Sequence, residues 1–413
     1  TGTDPRITFT TGNEWFPYSQ SGDSSTSPQA YNFGQQGFAY TPPSGFVALN
    51  SANLPDPTIL IPNEHLDTLI YEGNNSDGHA ITGLNFVPDW VWIKNRESGV
   101  THYIVDAMRK SGSNYLYLST DGTNAEGDAS ARFTSIDSGS GTNNGFTLPS
   151  GGTFTNGNNT DYVAWNWYAG GSTVTNNSGS ISSQVRANPT AGFSIVTYTG
   201  NGSTSSSTTI GHGLGVTPDL VITKKRNSTG TDYGWSTWHH KLAHSSYGQD
   251  VGIWLNKTDG QNADMWDGYS NFSSTVFTPA DLNYNNVNNA TYVNYVFSEV
   301  AGYSKFGSYT GNGSTDGTFV FTGFRPAYVM VKRYDGGGQG WNIFDNKRNT
   351  FNLVDEFLIA NSANAEATGS ALNLDFLSNG FKFRGTDGGS NTSGSDYIYL
   401  CFAESPFKYS RAR

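Results

Sequence analysis

The chain has 413 residues, 50 of them glycine, with 14% aromatic and 14% charged residues and a formal net charge of −11. Its 23 lysines and arginines stand against 34 acids, which leaves no basic footprint for a nucleic-acid backbone. No run of about 20 apolar residues is present to insert into a bilayer. Abundant turn formers mixed with β-branched and aromatic residues predict an all-β chain, long enough for several domains.

Taken in order, residues 1–48 carry strand-like runs at 6–10, 15–23 and 31–40 that match nothing downstream. Residues 49–64 hold Pro55, Pro57 and Pro62 and read as a stiff linker. A threefold pattern follows, in repeats at 65–170, 191–301 and 302–413. Each copy opens with a strand into a Gly-Asn turn (Gly73-Asn74, Gly200-Asn201, Gly311-Asn312). A strand led by Pro88, Pro218 or Pro326 comes next and ends at Lys94, Lys224 or Lys332. Proline suits a strand's first residue and alternating large residues suit a half-buried pleat, so each lysine reads as edge protection or a solvated strand end. Two further strands lead to a loop with a shared Asn-Ala dipeptide (Asn124-Ala125, Asn262-Ala263, Asn364-Ala365), a sign of shared turn geometry. Closing strands begin at Tyr162, Tyr292 and Tyr397. Between the first two copies, residues 171–190 contain no aromatic side chain and read as a flexible connector or an exposed hairpin. The copies recur at about the length of a small domain, which predicts tandem antiparallel β-sandwiches of lectin-like or jelly-roll-like type, arranged as separate beads.

Little in the sequence announces catalysis or a cofactor. There is no His-Glu-x-x-His, P-loop or Cys-x-x-Cys pattern, and no pair of acids shares a face of a predicted strand as glycoside hydrolysis would require. Cys401 lies in an apolar strand and reads as a small buried residue. The loop 259–267 is the best candidate for a cation, but its third counterpart keeps only Glu366, so a structural turn is the better reading and no metal site is assigned. His239 is matched by Asp106 and Asp345, which excludes a catalytic histidine common to the repeats. The second copy is richest in aromatic residues. Trp235, Trp238, His239, Trp266 and Tyr269 form the candidate ligand-binding set, because flat rings beside polar groups suit a sugar or a protein partner. Trp254 is expected in the core, and the loop residues Trp266 and Tyr269 are the stronger candidates for contact.

The order of motifs, from Tyr-x-Gly-Asn through Pro-x-x-Val-x-x-Lys to the closing Ala403-Glu404-Ser405-Pro406-Phe407, resembles a β-sandwich repeat family of phage tail-fibre and other virion structural proteins. Residues 31–46, with 15–23 before them, resemble the closing strands of a SPRY-like domain, which implies a longer polypeptide or a sheet completed by another subunit. The resemblance implies a non-enzymatic virion component, often trimeric, that meets a host surface glycan or receptor, other copies of itself and other virion proteins. A secreted array of carbohydrate-binding or adhesin modules is the alternative expectation, and a polysaccharide-degrading enzyme a third.

Overall fold

The computed structural model describes residues 53–409 except 140–142, 204, 206, 228–233, 244, 247, 249, 264, 267–270, 280–284 and 370, with residues 37, 41, 44 and 48 before them. The SPRY-like segment therefore lies outside the described residues. The chain divides into two compact units, Thr1–Asn53 and Leu54–Arg413, and the second carries the repeats. Among the described residues it is all-β, with no α-helix and so none long and apolar enough to cross a membrane.

Each repeat builds a major antiparallel sheet with one strand order. In the first the order is Leu66–Glu72, Asp161–Trp167, Trp90–Asn95, Tyr103–Ser111, Asn114–Leu118 and Gly127–Asp128. The third repeats it with Ser304–Thr310, Asp396–Pro406, Phe324–Arg333, Asn342–Asp345, Glu356–Ile359 and Ala367–Thr368. The second uses Phe193–Thr199, Thr291–Phe297, Leu220–Lys225, Trp235–His239, Val251–Trp254 and Asn262–Ala263. Residues 171–190 contribute the hairpin Val174–Asn176 and Ser183–Asn188, which extends that sheet to eight strands. Arg186 of the hairpin pairs with buried Asp89 of the first repeat.

A minor sheet covers one face of each major sheet: His79–Leu84, Asn144–Leu148 and Ser135–Asp137 in the first repeat, Ile210–Gly211 and Val276–Phe277 in the second, Phe319–Phe321, Gly380–Phe383 and Leu374–Leu377 in the third. In the first repeat Val91, Ile93 and Val105 pack there with Ile81, Phe146 and Leu148. The opposite faces of the three major sheets meet one another. One core cluster takes Trp90 and Trp167 from the first repeat, Leu220 and Phe297 from the second, and Tyr328 and Phe402 from the third. These are matching register pairs in every copy, Trp90 with Trp167, Leu220 with Phe297 and Tyr328 with Phe402. Trp90 stacks on Tyr295 at 4.3 Å between centroids, Trp167 meets Tyr328 at 5.8 Å, and Phe297 meets Phe402 at 5.9 Å.

This shared core corrects the expectation of separate beads and half-buried pleats. Strands Trp90–Asn95 and Leu220–Lys225 are buried at every residue, because their second face is covered by the other repeats. A sheet with two apolar faces needs a layer on each side. Residues 54–64 join the same body: Ile59 is part of the shared core, and Pro62–Glu64 forms a short 3-10 turn leading into the first strand. That segment is a strap on the body and not a free linker.

Candidate functional site

The described residues singled out by sequence lie in the core of the second repeat or at its seams, not on an open surface. Trp235, Trp238 and Trp266 have no exposed area and His239 is 1% exposed. Trp266 donates its indole N–H to Thr278 O at 3.0 Å and packs with Trp238, Phe277 and Val196 inside the second sandwich. Removal of this large ring from water outweighs its exposure as a contact residue. These four are therefore corrected from ligand-contact candidates to core and seam residues. Trp254, expected in the core, is indeed buried. Tyr269, like most of the loop's acids, lies outside the described residues.

The three seams close in a cycle, each repeat docking on the one before it and the first on the third. Position 235 and its equivalents are the clearest case. Trp235 donates to Ser119 O of the first repeat at 2.8 Å, and Trp341 to Trp254 O of the second at 3.0 Å. The first repeat has His102 at this position. Its Nδ1 accepts from Trp92 Nε1 at 2.8 Å, so Nε2 carries the proton and donates to Ile359 O of the third at 3.0 Å. Ser119, Trp254 and Ile359 are themselves equivalent, so one bond is made three times by two kinds of ring. Position 239 faces the other way round the cycle. Asp106 accepts from Tyr295 at 2.8 Å, Asp345 accepts from Trp165 at 3.1 Å, and His239 directs Nε2 at Tyr399 O, 3.2 Å away.

Ion pairs lace two of the seams. Arg226 holds Glu126 through two bonds of 2.9 Å, while Glu126 N donates to Arg226 O at 2.8 Å. Arg96 grips Glu366 in the same way, at 2.7 and 3.1 Å, and Glu366 N donates to Arg96 O at 2.7 Å. Each acid follows the shared Asn-Ala dipeptide, so that dipeptide marks a docking loop. Behind the acids lie buried arginines, Arg109 bound to Asp106 and Arg348 bound to Asp345, each at 2.6 Å. Burial pushes Asp345 up, but Arg348 outweighs it and holds the carboxyl below its usual range. The third seam uses backbone: Gln261 N donates to Tyr334 O at 2.8 Å and Gly338 N to Thr258 O at 2.9 Å, through a longer loop.

The repeated lysines also depart from expectation. Lys94, Lys224 and Lys332 have no exposed area. The sheet's second face is covered, so the strand end that would lie in solvent on an isolated sandwich is enclosed. Their ammonium groups donate to carbonyls: Lys94 to Asn95 O at 2.7 Å, Lys224 to Lys225 O at 3.0 Å and across the seam to Thr123 O at 3.2 Å, Lys332 to Gln339 O. Burial lowers Lys94 and Lys332 to about 8, offset in part by Asp121 and Glu366 near the first and by Asp259 near the second. Burial and then the charge of Lys225 lower Lys224 to about 7. His239 falls to about 3 by burial and by His240, and burial pushes the Cys401 thiol well up.

A further repeated device went unread in the sequence. Asn156, Asn286 and Asn391 accept from the backbone N–H of Asn74, Asn201 and Asn312 at 3.0, 3.1 and 3.0 Å, and donate to Ser76 O, Ser203 O and Ser314 O at 3.1, 2.9 and 2.8 Å. Six residues on, the hydroxyls of Tyr162, Tyr292 and Tyr397 accept from Gly157, Val287 and Thr392 at 2.8, 2.9 and 2.9 Å. The signal was an asparagine at a constant distance before each closing tyrosine. Among the described residues no group of three or more His, Cys, Asp or Glu is arranged to hold a metal ion.

Fold and seams together define a single-chain body of three interlocked β-sandwiches around one core. The chain belongs to the family described as "Domain of unknown function (DUF7483)", which it matches over residues 61–406, so one family unit spans all three repeats. No curated protein and no solved structure matches the chain.

Proposed function

We propose that the chain is a non-enzymatic structural and receptor-binding component of a virion appendage, whose three-repeat body presents its outer surfaces to a host glycan or receptor, to copies of itself and to other virion proteins. The closed cycle of seams carries this reading. The conspicuous aromatic and titratable side chains are engaged within the sandwich cores or in holding one repeat to the next, which suits a rigid presenting body whose binding surfaces lie outside. The motif order quoted above supports the assignment to a virion. Mass spectrometry of virions purified from a lysate that contains the chain is the test. Stoichiometric recovery with the particles is expected, and absence from them overturns the assignment.

A further inference from the structure

The three repeats share their inner architecture and differ on their outer faces. In the first, the outward residues of strand His79–Leu84 include Ala80 and Thr82, and the neighbouring strands add Thr147 bound to Asp137 at 2.5 Å. In the third, the matching strand turns Phe319 and Phe321 outward, 44% and 53% exposed, on either side of buried Val320. Phe319 pairs in register with Lys382 and Phe321 with Gly380. Gly380 has no side chain, so the Phe319 ring lies over it: a Cβ added there would stand 3.1 Å from Phe319 Cε2. At the far edge of this sheet the Asn352 side chain stands in for a strand, donating to Phe376 O and accepting from Phe376 N, both at 2.9 Å. Its neighbours Phe351 and Leu353 are 76% and 42% exposed.

A charged row accompanies the rings. Lys382 pairs with Asp316 at 2.6 Å, and Arg384 with Asp375 at 2.6 Å and Asp316 at 3.2 Å. Two cations and two carboxylates leave it neutral. Taking roughly 200 Å² per phenylalanine, the three rings expose roughly 350 Å² of apolar surface. A stable protein interface needs about 800 Å² from each partner, so the strip is too small to seat a second copy of the chain. It suits a short, flat, extended ligand with one apolar face and a hydroxylated rim.

From this we infer that the outer face of the third repeat's minor sheet is a carbohydrate platform, on which an uncharged oligosaccharide lays its C–H faces across Phe319, Phe321 and Phe351 and its hydroxyls along the charged row. The inference rests on the receptor-binding reading and moves the contact surface away from Trp235 and Trp266. Neutrality of the row favours an uncharged glycan over an acidic one, because an acidic chain would meet Asp316 and Asp375 as well as the cations.

The test uses the full chain on a glycan array that includes cellohexaose, chitohexaose and acidic polysaccharides, with the Phe321→Ser/Phe351→Ser double variant beside it. Both positions are exposed, so an unchanged melting temperature is expected; if it falls, Lys382→Ala replaces the pair. The platform predicts binding of at least one neutral oligosaccharide and a loss of tenfold or more in the variant. Undiminished binding by the variant overturns the platform, as does binding confined to acidic glycans or no binding at all, and the virion measurement decides the assignment to a virion separately. A concentration-dependent dimer in light scattering that the variant abolishes would assign the strip to a second copy and overturn the platform as well.

Discussion

Replacing Trp235 separates a body with one core from three sandwiches on a string. The side chain is fully buried in the shared cluster and gives its N–H to Ser119 O in the neighbouring repeat. Truncation to alanine removes a large ring, which costs about 3–5 kcal/mol in a core, and strands a carbonyl, which costs about 1–3 kcal/mol when no other donor reaches it. A loss of about 5 kcal/mol compares with a total of roughly 5–15 kcal/mol for a typical domain. At roughly 2 cal/mol/K per residue over a unit of this size, it lowers the melting temperature by roughly 7 °C. Trp235→Phe keeps most of the ring and loses chiefly the hydrogen bond, so about 1–2 kcal/mol is expected. Differential scanning calorimetry reads both. Unfolding of Leu54–Arg413 should remain a single transition in wild type and variants, with van't Hoff and calorimetric enthalpies in agreement. A split endotherm in Trp235→Ala, with two repeats melting at the wild-type temperature, would refute the shared core.

Three more outcomes follow from the seams and the asparagine clamp. Because Lys94, Lys224 and Lys332 are lowered to about 8, 7 and 8, the unfolded chain binds more protons than the folded one above those values. Their cost is full below the folded values and is relieved as pH rises toward the unfolded value, so denaturant midpoints should climb from pH 7 to 9.5, with a ceiling of about 1.4 kcal/mol per pH unit for each lysine. Lys224→Met should flatten that slope, and a midpoint falling over this range would count against enclosure. Arg226→Ala and Glu126→Ala should show a coupling of about 1–3 kcal/mol in a double-mutant cycle, because the bidentate pair is mostly shielded from water; a value near zero would mean the seam is wet. Asn391→Ala removes the acceptor for Asn312 N and the donor for Ser314 O and Gly385 O, and should cost about 2–4 kcal/mol. Amide exchange at Asn312 should accelerate with it, and unchanged protection would exclude the clamp.

The threefold order of strands was legible because each copy repeats its turns, its leading proline and its closing tyrosine. Burial was not. A strand such as Trp90-Val91-Trp92-Ile93 alternates tryptophan with smaller branched residues, which fits one buried face, and only the meeting of three sheets fills the second with Trp90 and Trp92. The lysines misled for the same reason. At the end of an isolated edge they would be solvated, and a pattern confined to one repeat cannot reveal that another repeat encloses them. The aromatic richness of 235–266 likewise measured the thickness of the core and not an open surface. What could have been read from sequence alone is the asparagine six residues before each of Tyr162, Tyr292 and Tyr397, since a constant offset between a polar residue and a core tyrosine is a turn signal of its own.

The same geometry says where a repeated chain of this kind is free to differ. Positions 102, 235 and 341 tolerate histidine or tryptophan because both present an N–H to one carbonyl, and positions 106, 239 and 345 tolerate aspartate or histidine because each finds a partner of the opposite role across its seam. Inner positions are thus bound by a role that few residue types fill. The outer faces of the minor sheets carry no such obligation. They have become hydroxyl-rich around Thr82 and Thr147 in the first repeat, reduced to two short strands in the second, and lined by phenylalanine in the third. An exposed phenylalanine strip gains nothing from the shared core that would keep it there. Its exposure on a face where the copies differ is the physical reason to test the proposed ligand contact at Phe319, Phe321 and Phe351.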